Sequence, residues 1–432
     1  MPSRFYVETL GCPKNQVDSD KLIGTLVADG MVATDSPERA DLVVVNTCAF
    51  IEDARRESID TVLALDEQRR PGARFVVTGC MAERYGAELA DAMPEVEVAG
   101  FGVPLVRRPS ARRLIPVVDA PLPTLDLLNL PRPRATAPWA YVKIAEGCDR
   151  KCGFCAIPSF RGPQRSRDVG SILAEVEQLG AREIVLVAQD SASYGRDRPE
   201  ELGAGSIVGL LRDVTALVDR TRLLYLYPSD LSDALVDAIC DTGVAYFDLS
   251  LQHVSKPLVR RMRRWGDGDR FLLRIDDIRR REPDAAFRSN FIVGYPGETE
   301  DDHDRLLRFV EAAQLDWCGF FAFSREDGTH AAALDGAVDP LLVAERLAEL
   351  GELQDPITAG RRDALIGRRL DVLVDAVGVG RSHREAPEID GIVHVDGRLD
   401  VGHIVGVDIV DALGPDLVGA GALVDTGAAV GS

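Results

Sequence analysis

The chain has 432 residues, of which 46% are apolar and 28% charged, and a formal net charge of -20 at pH 7. That length accommodates about three domains with full hydrophobic cores, and the composition excludes a disordered or fibrous chain. No apolar run approaches the roughly 18 residues of a membrane span, and the amino terminus lacks the basic and apolar regions of a secretory signal, so a cytoplasmic location without membrane contact is expected. The acidity argues against a phosphate-rich partner and suits a basic one.

In chain order, apolar runs first alternate with helical periodicity over residues 1–125. "RFYVETL" (Arg4 to Leu10), "DLVVVNT" (Asp41 to Thr47) and "ARFVVTG" (Ala73 to Gly79) are predicted strands. Each precedes a helical pattern: one ending at Gly30, a charged one through Arg70, and "AERYGAELADAM". Strand and helix in alternation predict a parallel α/β sheet. The proline-dense "PLPTLDLLNLPRPRATAP" (Pro121 to Pro138) reads as a linker.

Residues 134–363 resume the alternation with six strand candidates, "WAYVKIA", "EIVLVAQ", "RLLYLYP", "AYFDLSLQ", "FRSNFIVGY" and "WCGFFAFS". Six such units predict a partial (β/α)6 TIM-like barrel, with chemistry at the carboxyl ends of the strands. A long helix from Pro340 to Asp363 closes the unit. The segment 366–432 changes texture: "RRLDVLVDAV", "GIVHVDG", "GHIVGVDIVDALG" and "GALVDTG" are short, valine-rich strands between glycines, which predict a small β-barrel.

Eight cysteines in a reducing compartment do not read as a disulfide framework, so spacing decides their role. Cys148, Cys152 and Cys155 crowd one loop, "EGCDRKCGFC". Cys12, Cys48 and Cys80 each follow the end of one of the first three strands. In a parallel sheet those ends share one edge, with neighbouring strands about 4.8 Å apart, so the three thiols are predicted to converge. Buried apolar cysteines and a zinc site are the competing readings. A four-iron cluster held by three cysteines accounts better for both trios, because it leaves one iron open to a ligand that is not protein. Cys240 and Cys318 lack partners at ligand spacing and read as core thiols.

The C-x3-C-x2-C loop, with Phe154 before the last cysteine, resembles the signature of the radical S-adenosylmethionine (SAM) superfamily. With the upstream trio and the terminal barrel, which is similar to a TRAM domain, the chain resembles the methylthiotransferases from end to end. "TLGCPKNQVDSD", "LQHVSKPLVRRMRR", "FIVGYPGETE" and "REAPEIDG" resemble the branch named RimO, which modifies an aspartate of small-subunit ribosomal protein S-twelve. The resemblance implies two 4Fe-4S clusters, one on Cys148, Cys152 and Cys155 that binds and cleaves SAM, and an auxiliary one on Cys12, Cys48 and Cys80 that carries the sulfur. It implies a 5′-deoxyadenosyl radical that takes hydrogen from the aspartate β-carbon, an electron donor, and the ribosomal protein as partner, free or within the ribosome. A monomer suffices. The tRNA-modifying branch, MiaB, shares the chemistry and is the alternative; an electron carrier or zinc scaffold is the alternative from another class.

Gln189, Asp190 and Tyr194 follow the second barrel strand and Ser229 and Asp230 the third, where such a barrel holds its ligands, although turns and helix caps use the same residue types. Gln189, Asp190, Ser229, Gln252, Gly294 and Pro296 form the candidate cofactor-binding set, the last two in "VGYPGETE", where backbone can approach adenosine closely. His253 ends the fourth strand and reads as structural before it reads as a ligand. Arg161, Arg165, Arg167 and the run Arg260 to Arg264 read as solvated surface charge before anchors. From Arg361 onward stand seven arginines and no lysine against twelve acidic residues. That balance is wrong for tRNA and right for a basic protein.

Overall fold

Strand β3 (Leu42–Thr47) is buried along its whole length, as a central strand of a sheet covered on both faces must be. It lies in a five-stranded parallel sheet of order β2-β1-β3-β4-β5, with β1 at Arg4–Thr9, β2 at Val32–Ala33, β4 at Arg74–Gly79 and β5 at Glu97–Val98. Side chains alternate with the period of two. Val43 and Val45 join Val62 of α2 (Glu52–Gln68) and Leu89 of α3 (Cys80–Ala92) on one face. Leu42 and Val44 join Leu22 and Leu26 of α1 (Pro13–Ala28) on the other. The computed structural model describes residues 2–101, 103–105, 127–202 and 206–422. Part of the expected linker, 121–126, lies outside the described residues.

Six parallel strands follow in sequential order: β6 (Trp139–Lys143), β9 (Glu183–Val187), β10 (Arg220–Leu223), β11 (Tyr246–Gln252), β12 (Ala286–Val293) and β13 (Trp317–Ala322). A short antiparallel ladder of β7 (Ala145–Glu146) and β8 (Arg165–Ser166), absent from the sequence expectation, closes the base of the cysteine loop. The six fall into two three-stranded sheets joined by one parallel bridge, Leu226 to Leu249, and the first and last do not pair: the barrel is partial. Its connecting helices are α4 (Ile157–Arg161), α5 (Val169–Leu179), α6 (Pro199–Leu202), α7 (Ser206–Thr215), α8 (Asp233–Cys240), α9 (Lys256–Arg261), α10 (Gly268–Arg281) and α11 (Glu300–Ala313). Helix α12 (Pro340–Asp363) runs over the span anticipated. Ala140, Ile184, Leu186, Phe247 and Phe287 face the helices, while Tyr141, Val185, Val187, Tyr246 and Trp317 fill the lumen.

Five strands close the terminal barrel in the order β14-β15-β16-β18-β17, at Arg369–Ala376, Val379–Arg381, Val393–His394, Asp416–Gly419 and Ile404–Leu413. Its last strand therefore precedes the expected "GALVDTG", of which 423–427 lie outside the described residues. The segment 383–390 leaves this barrel and plugs the lumen of the larger one. Ala386 packs with Tyr141 and Trp317, the Tyr141 hydroxyl donates to the Pro387 carbonyl at 2.7 Å, and the Trp317 indole N–H donates to the Arg384 carbonyl at 2.8 Å. Among the described residues no helix is long and apolar enough to cross a membrane.

Candidate active site

The first three strand ends do bring their thiols together. Thr9 of β1 pairs with Asn46 of β3, and Thr47 of β3 pairs with Gly79 of β4, so the residues just beyond lie side by side. Gly11 and Gly79 both hold φ of +94°, and a Cβ on Gly11 would stand 2.8 Å from the Cys48 Cβ. On Gly79 it would stand 2.3 Å from Asn46 Oδ1. Glycine before the cysteine is thus what permits the close approach. Asn15 ties the ends: its amide donates to the carbonyls of Leu10 at 2.8 Å and Thr47 at 3.2 Å, and its Oδ1 lies 3.7 Å from the Cys80 thiol. Helix α1 begins directly after Cys12 and α3 begins at Cys80, so two helix N-termini direct positive potential at the trio.

The second trio is held by its own loop. The Arg150 N–H donates to Cys148 Sγ at 3.4 Å, the Cys155 N–H to the Cys152 carbonyl at 3.2 Å, and the Cys148 N–H to the Gly162 carbonyl at 3.1 Å. Gly153 is pinned between Met262 and Ala331 through backbone bonds of 2.7 and 2.8 Å. All eight cysteines are free, and Cys240 and Cys318 sit in α8 and β13 apart from the trios' ladders. Burial pushes the Cys48 and Cys155 thiols up to about 12 and the Cys148 thiol up to about 11. Cys12 ends below its ordinary value, because burial, which raises it, is outweighed by Lys14, by the Asn15 N–H and by Arg161. Metal binding to such groups must release protons. Among the described residues no set of three or more His, Cys, Asp or Glu side chains is spaced to hold a single metal ion.

One arginine reaches each trio. Arg161 is buried; it donates to Cys80 Sγ at 3.0 Å, to Asn15 Oδ1 at 2.8 Å, to Asp18 Oδ2 at 2.9 Å and to both Glu146 oxygens. Lys143 joins Asp18 to Glu146 from the barrel side. Burial raises the Glu146 carboxyl, but Arg161 and Lys143 outweigh it and hold Glu146 well below the usual carboxylate range. The network spans the two folds, since Asp18 belongs to α1 and Glu146 lies two residues before Cys148. Arg264 donates to Cys152 Sγ at 3.0 Å. The expectation of solvated arginines is therefore corrected for Arg161, for Arg167, which is buried against Glu175 at 2.7 Å, and for Arg264, which lies beyond the end of α9. Arg165 is exposed, as expected.

Gln189, Asp190 and Ser191 follow β9, and each carries a buried oxygen with no partner among the described residues: Gln189 Oε1, Asp190 Oδ1 and Ser191 Oγ. The other atoms are held, Gln189 Nε2 by Glu146 at 2.8 Å and Asp190 Oδ2 by Arg150 at 2.6 Å. Asp230 also pairs with Arg150, and Ser229, exposed, donates to Asp230 Oδ1 at 3.0 Å. Neither caps α8; Ser232 does, accepting from the Leu235 N–H, so the capping alternative is corrected. The Tyr194 hydroxyl donates to the Arg167 carbonyl at 2.7 Å. Gln252 carries φ of +70° at a register shift of β11, a conformation that costs a side-chain-bearing residue energy. His253 is fully buried, accepts at Nδ1 from the Ser255 N–H at 3.1 Å, and is held down to about 4 by burial. Gly294 has φ of +82° with Val343 packed where a Cβ would stand, and the Pro296 carbonyl accepts from Arg261 at 2.7 Å. Asn15, Asp18, Glu146 and Arg150 were missed. Their position within three or six residues of a cysteine, at helical or loop spacing, was the available signal.

Residues 4–100 match the family described as uncharacterized protein family UPF0004, residues 142–310 the radical SAM superfamily and residues 366–421 the TRAM domain. A ribosomal protein uS12 methylthiotransferase RimO of Saccharopolyspora erythraea is 40% identical over 96% of this chain and 94% of its own. Its counterpart in Cutibacterium acnes is 41% identical over 96% and 97%. The chain belongs to the RimO family of methylthiotransferases. Salinispora tropica has a further RimO at 41% identity over 96% and 94% of the two chains. The RimO relatives match from one end to the other, so the sheet, the partial barrel and the small barrel come as one architecture rather than as three separate likenesses.

Proposed function

We infer that this chain adds a methylthio group to the β-carbon of an aspartate of ribosomal protein uS12 by radical SAM chemistry. The observation that carries the reading is the pair of cysteine trios, one at the ends of β1, β3 and β4 and one in the loop after β7, joined through Arg161. Two 4Fe-4S clusters and SAM are its cofactors; when bound, they supply the radical that removes hydrogen from the substrate carbon and the methylated sulfur that replaces it.

The residues present fit those groups. We propose Cys148, Cys152 and Cys155 as ligands of the SAM-binding cluster and Cys12, Cys48 and Cys80 as ligands of the auxiliary one. Gln189 Oε1 and Asp190 Oδ1 are buried acceptors without partners among the described residues, suited to the amino group of SAM. Ser229, Gln252, Gly294 and Pro296 complete the proposed cofactor rim at the carboxyl ends of the strands. Arg150 and Arg264 both lie over the Tyr227 ring, at 4.0 and 4.3 Å, and brace the SAM loop from two sides. Arg161, Asp18, Lys143 and Glu146 fix the separation of the two sites and keep water from the space between them.

A basic protein substrate suits the small barrel better than RNA does. Each of the seven arginines from Arg361 onward, two at the end of α12 and five in the small-barrel segment, is paired with an acid: Arg361 with Asp316, Arg362 with Glu385, Arg368 with Asp284, Arg369 with Asp408, Arg381 with Glu183, Arg384 with Asp316 and Arg398 with Asp396. A phosphate backbone would have to compete for every one of them. We place the protein in the cytoplasm, acting as a monomer with an external electron donor. The test is mass spectrometry of uS12 after incubation with the reconstituted protein, SAM, sulfide and a reductant. The expected product is uS12 heavier by one methylthio group in place of hydrogen. A methylthio product on tRNA with none on uS12 would overturn the reading in favour of the MiaB type.

A further inference from the structure

Positive charge is spent unevenly along this chain. Every arginine from Arg361 onward has an acid, yet the run from Lys256 to Arg264 holds five cations and no acid. Four of the five, Lys256, Arg260, Arg261 and Arg263, are exposed and have no ion-pair partner among the described residues; the fifth, Arg264, turns inward to Cys152 Sγ. Where the four make contacts, the acceptors carry no negative charge: Arg261 donates to the carbonyls of Pro296 at 2.7 Å and Asp335 at 2.9 Å, and Arg263 lies 2.9 Å from His330 Nδ1. Their charge is therefore left standing at the surface. Lys151, between Cys148 and Cys152, and Arg325, three residues past β13, are likewise exposed and without an acid.

These cations lie on one particular loop. Leu258 and Met262 of the run pack with Phe154, and the Gly153 N–H donates to the Met262 carbonyl at 2.7 Å, so the run is laid directly against the loop of Cys148, Cys152 and Cys155. Lys151 brings that loop itself to the surface. Trp265, which follows the run, is 43% exposed, and a large aromatic side chain beside a charged rim is the usual make-up of a protein interface. The exposed acids of the neighbouring segments are Asp149, Asp327 and Asp335, too few to cancel the excess; Glu326 is spent on Arg55 and Arg84. The whole chain carries -20, so most of its surface repels an acidic partner, and this face alone reverses the sign. A basic substrate is repelled here for the same reason, so the face calls for a different, acidic occupant.

We propose that the face formed by Lys151, Lys256, Arg260, Arg261, Arg263 and Arg325 docks an acidic one-electron carrier protein, with the carrier's redox group set over the loop of Cys148, Cys152 and Cys155. This rests on the reading of that loop as the SAM-binding site. In each encounter the carrier is oxidised by one electron and the iron of the SAM site is reduced by one, and cleavage of SAM consumes it. Complementary charge steers the approach and fixes its orientation, which is what an electron donor that must come and go requires. RNA offers the same charge without an electron; the position over the cysteine loop favours the carrier.

The test uses the reconstituted full chain, with flavodoxin, a small acidic one-electron carrier, as the probe. Binding of oxidised flavodoxin is measured by calorimetry at low and high salt, and SAM cleavage is followed with either reduced flavodoxin or dithionite as the electron source. Wild type is expected to bind flavodoxin at low salt and to release it as salt rises. Lys256→Glu combined with Arg260→Glu, two exposed positions on α9, is expected to bind about tenfold or more weakly, within the range of electrostatic steering. The same double variant should be slowed with reduced flavodoxin and keep the wild-type rate with dithionite. Arg212→Glu, a reversal of sign at an exposed position of α7, should change neither. A double variant that binds flavodoxin as wild type does, or an equal loss in Arg212→Glu, overturns the proposal. So does a double variant slowed with dithionite as well, since the face would then serve the SAM site itself. Loss of ribosomal RNA retention by the double variant, with flavodoxin binding unchanged, gives the face to RNA and overturns it too. Wild type that cleaves no SAM with dithionite sinks instead the reading of the loop on which the proposal rests.

Discussion

The two cysteine trios reach similar ends by different means. Cys148, Cys152 and Cys155 come from eight consecutive residues, whose turn joins local backbone bonds to two backbone bonds from Gly153 to Met262 and Ala331, while Cys12, Cys48 and Cys80 are assembled by three strands and depend on the sheet's register. A loop sets the spacing of its ligands in the sequence itself; a sheet edge acquires that spacing only when the strands have paired. The auxiliary trio should therefore be the more sensitive to changes made far from any cysteine, and the SAM loop the more sensitive to changes within it.

The largest expected effect separates the trios outright. Cys152→Ala should reduce SAM cleavage to the rate without protein, while Cys80→Ala should continue to cleave SAM and yield no methylthio product; chromatography of 5′-deoxyadenosine reads both. Next, Arg161→Met should cost about 3 kcal/mol in urea unfolding, because two buried carboxylates, Asp18 and Glu146, would be left to Lys143 as their one remaining cation. Gly79→Ala should follow at about 3 kcal/mol, with auxiliary iron lost and SAM cleavage retained, since its Cβ would press on Asn46 and Thr47 at 2.3 to 2.6 Å. Gly162→Ala, at φ of +75° with open space around it, should cost about 1 kcal/mol and leave both iron sites loaded.

His253 gives a pH signature independent of iron. Its folded pKa of about 4 lies below the unfolded value near 6.5, so the unfolded chain binds the proton first as pH falls. Its contribution is complete above about pH 6.5 and is lost as pH drops toward 4, amounting to no more than about 3 kcal/mol. His253→Gln should flatten that part of the stability profile. The smallest effect is expected at Ser229→Ala, where an exposed hydroxyl bonded to Asp230 should change SAM affinity by about threefold or less.

Much of this was legible beforehand. Strand ends followed by cysteine, as in "VVVNTC" and "VVTGC", gave the convergence through sheet geometry alone, and α12 starts where anticipated because Asp339 caps its first turn, accepting from the Leu341 N–H, with Pro340 at the first helical position. What escaped were contacts decided by tertiary neighbours. Arg161 and Arg264 look like ordinary loop arginines until the facing element supplies Asp18 in one case and Tyr227 in the other. The role of "REAPEID" as a plug was equally invisible, because its partners Tyr141, Tyr246 and Trp317 lie on three separate strands.

The central claim, two independent clusters each held by three cysteines, is tested most directly by iron analysis with electron paramagnetic resonance on wild type and Cys48→Ala after anaerobic reconstitution. The account predicts about eight irons in wild type, and about four in the variant with the SAM-responsive signal intact. Full iron content in Cys48→Ala, or loss of the SAM-responsive signal with it, would contradict the assignment.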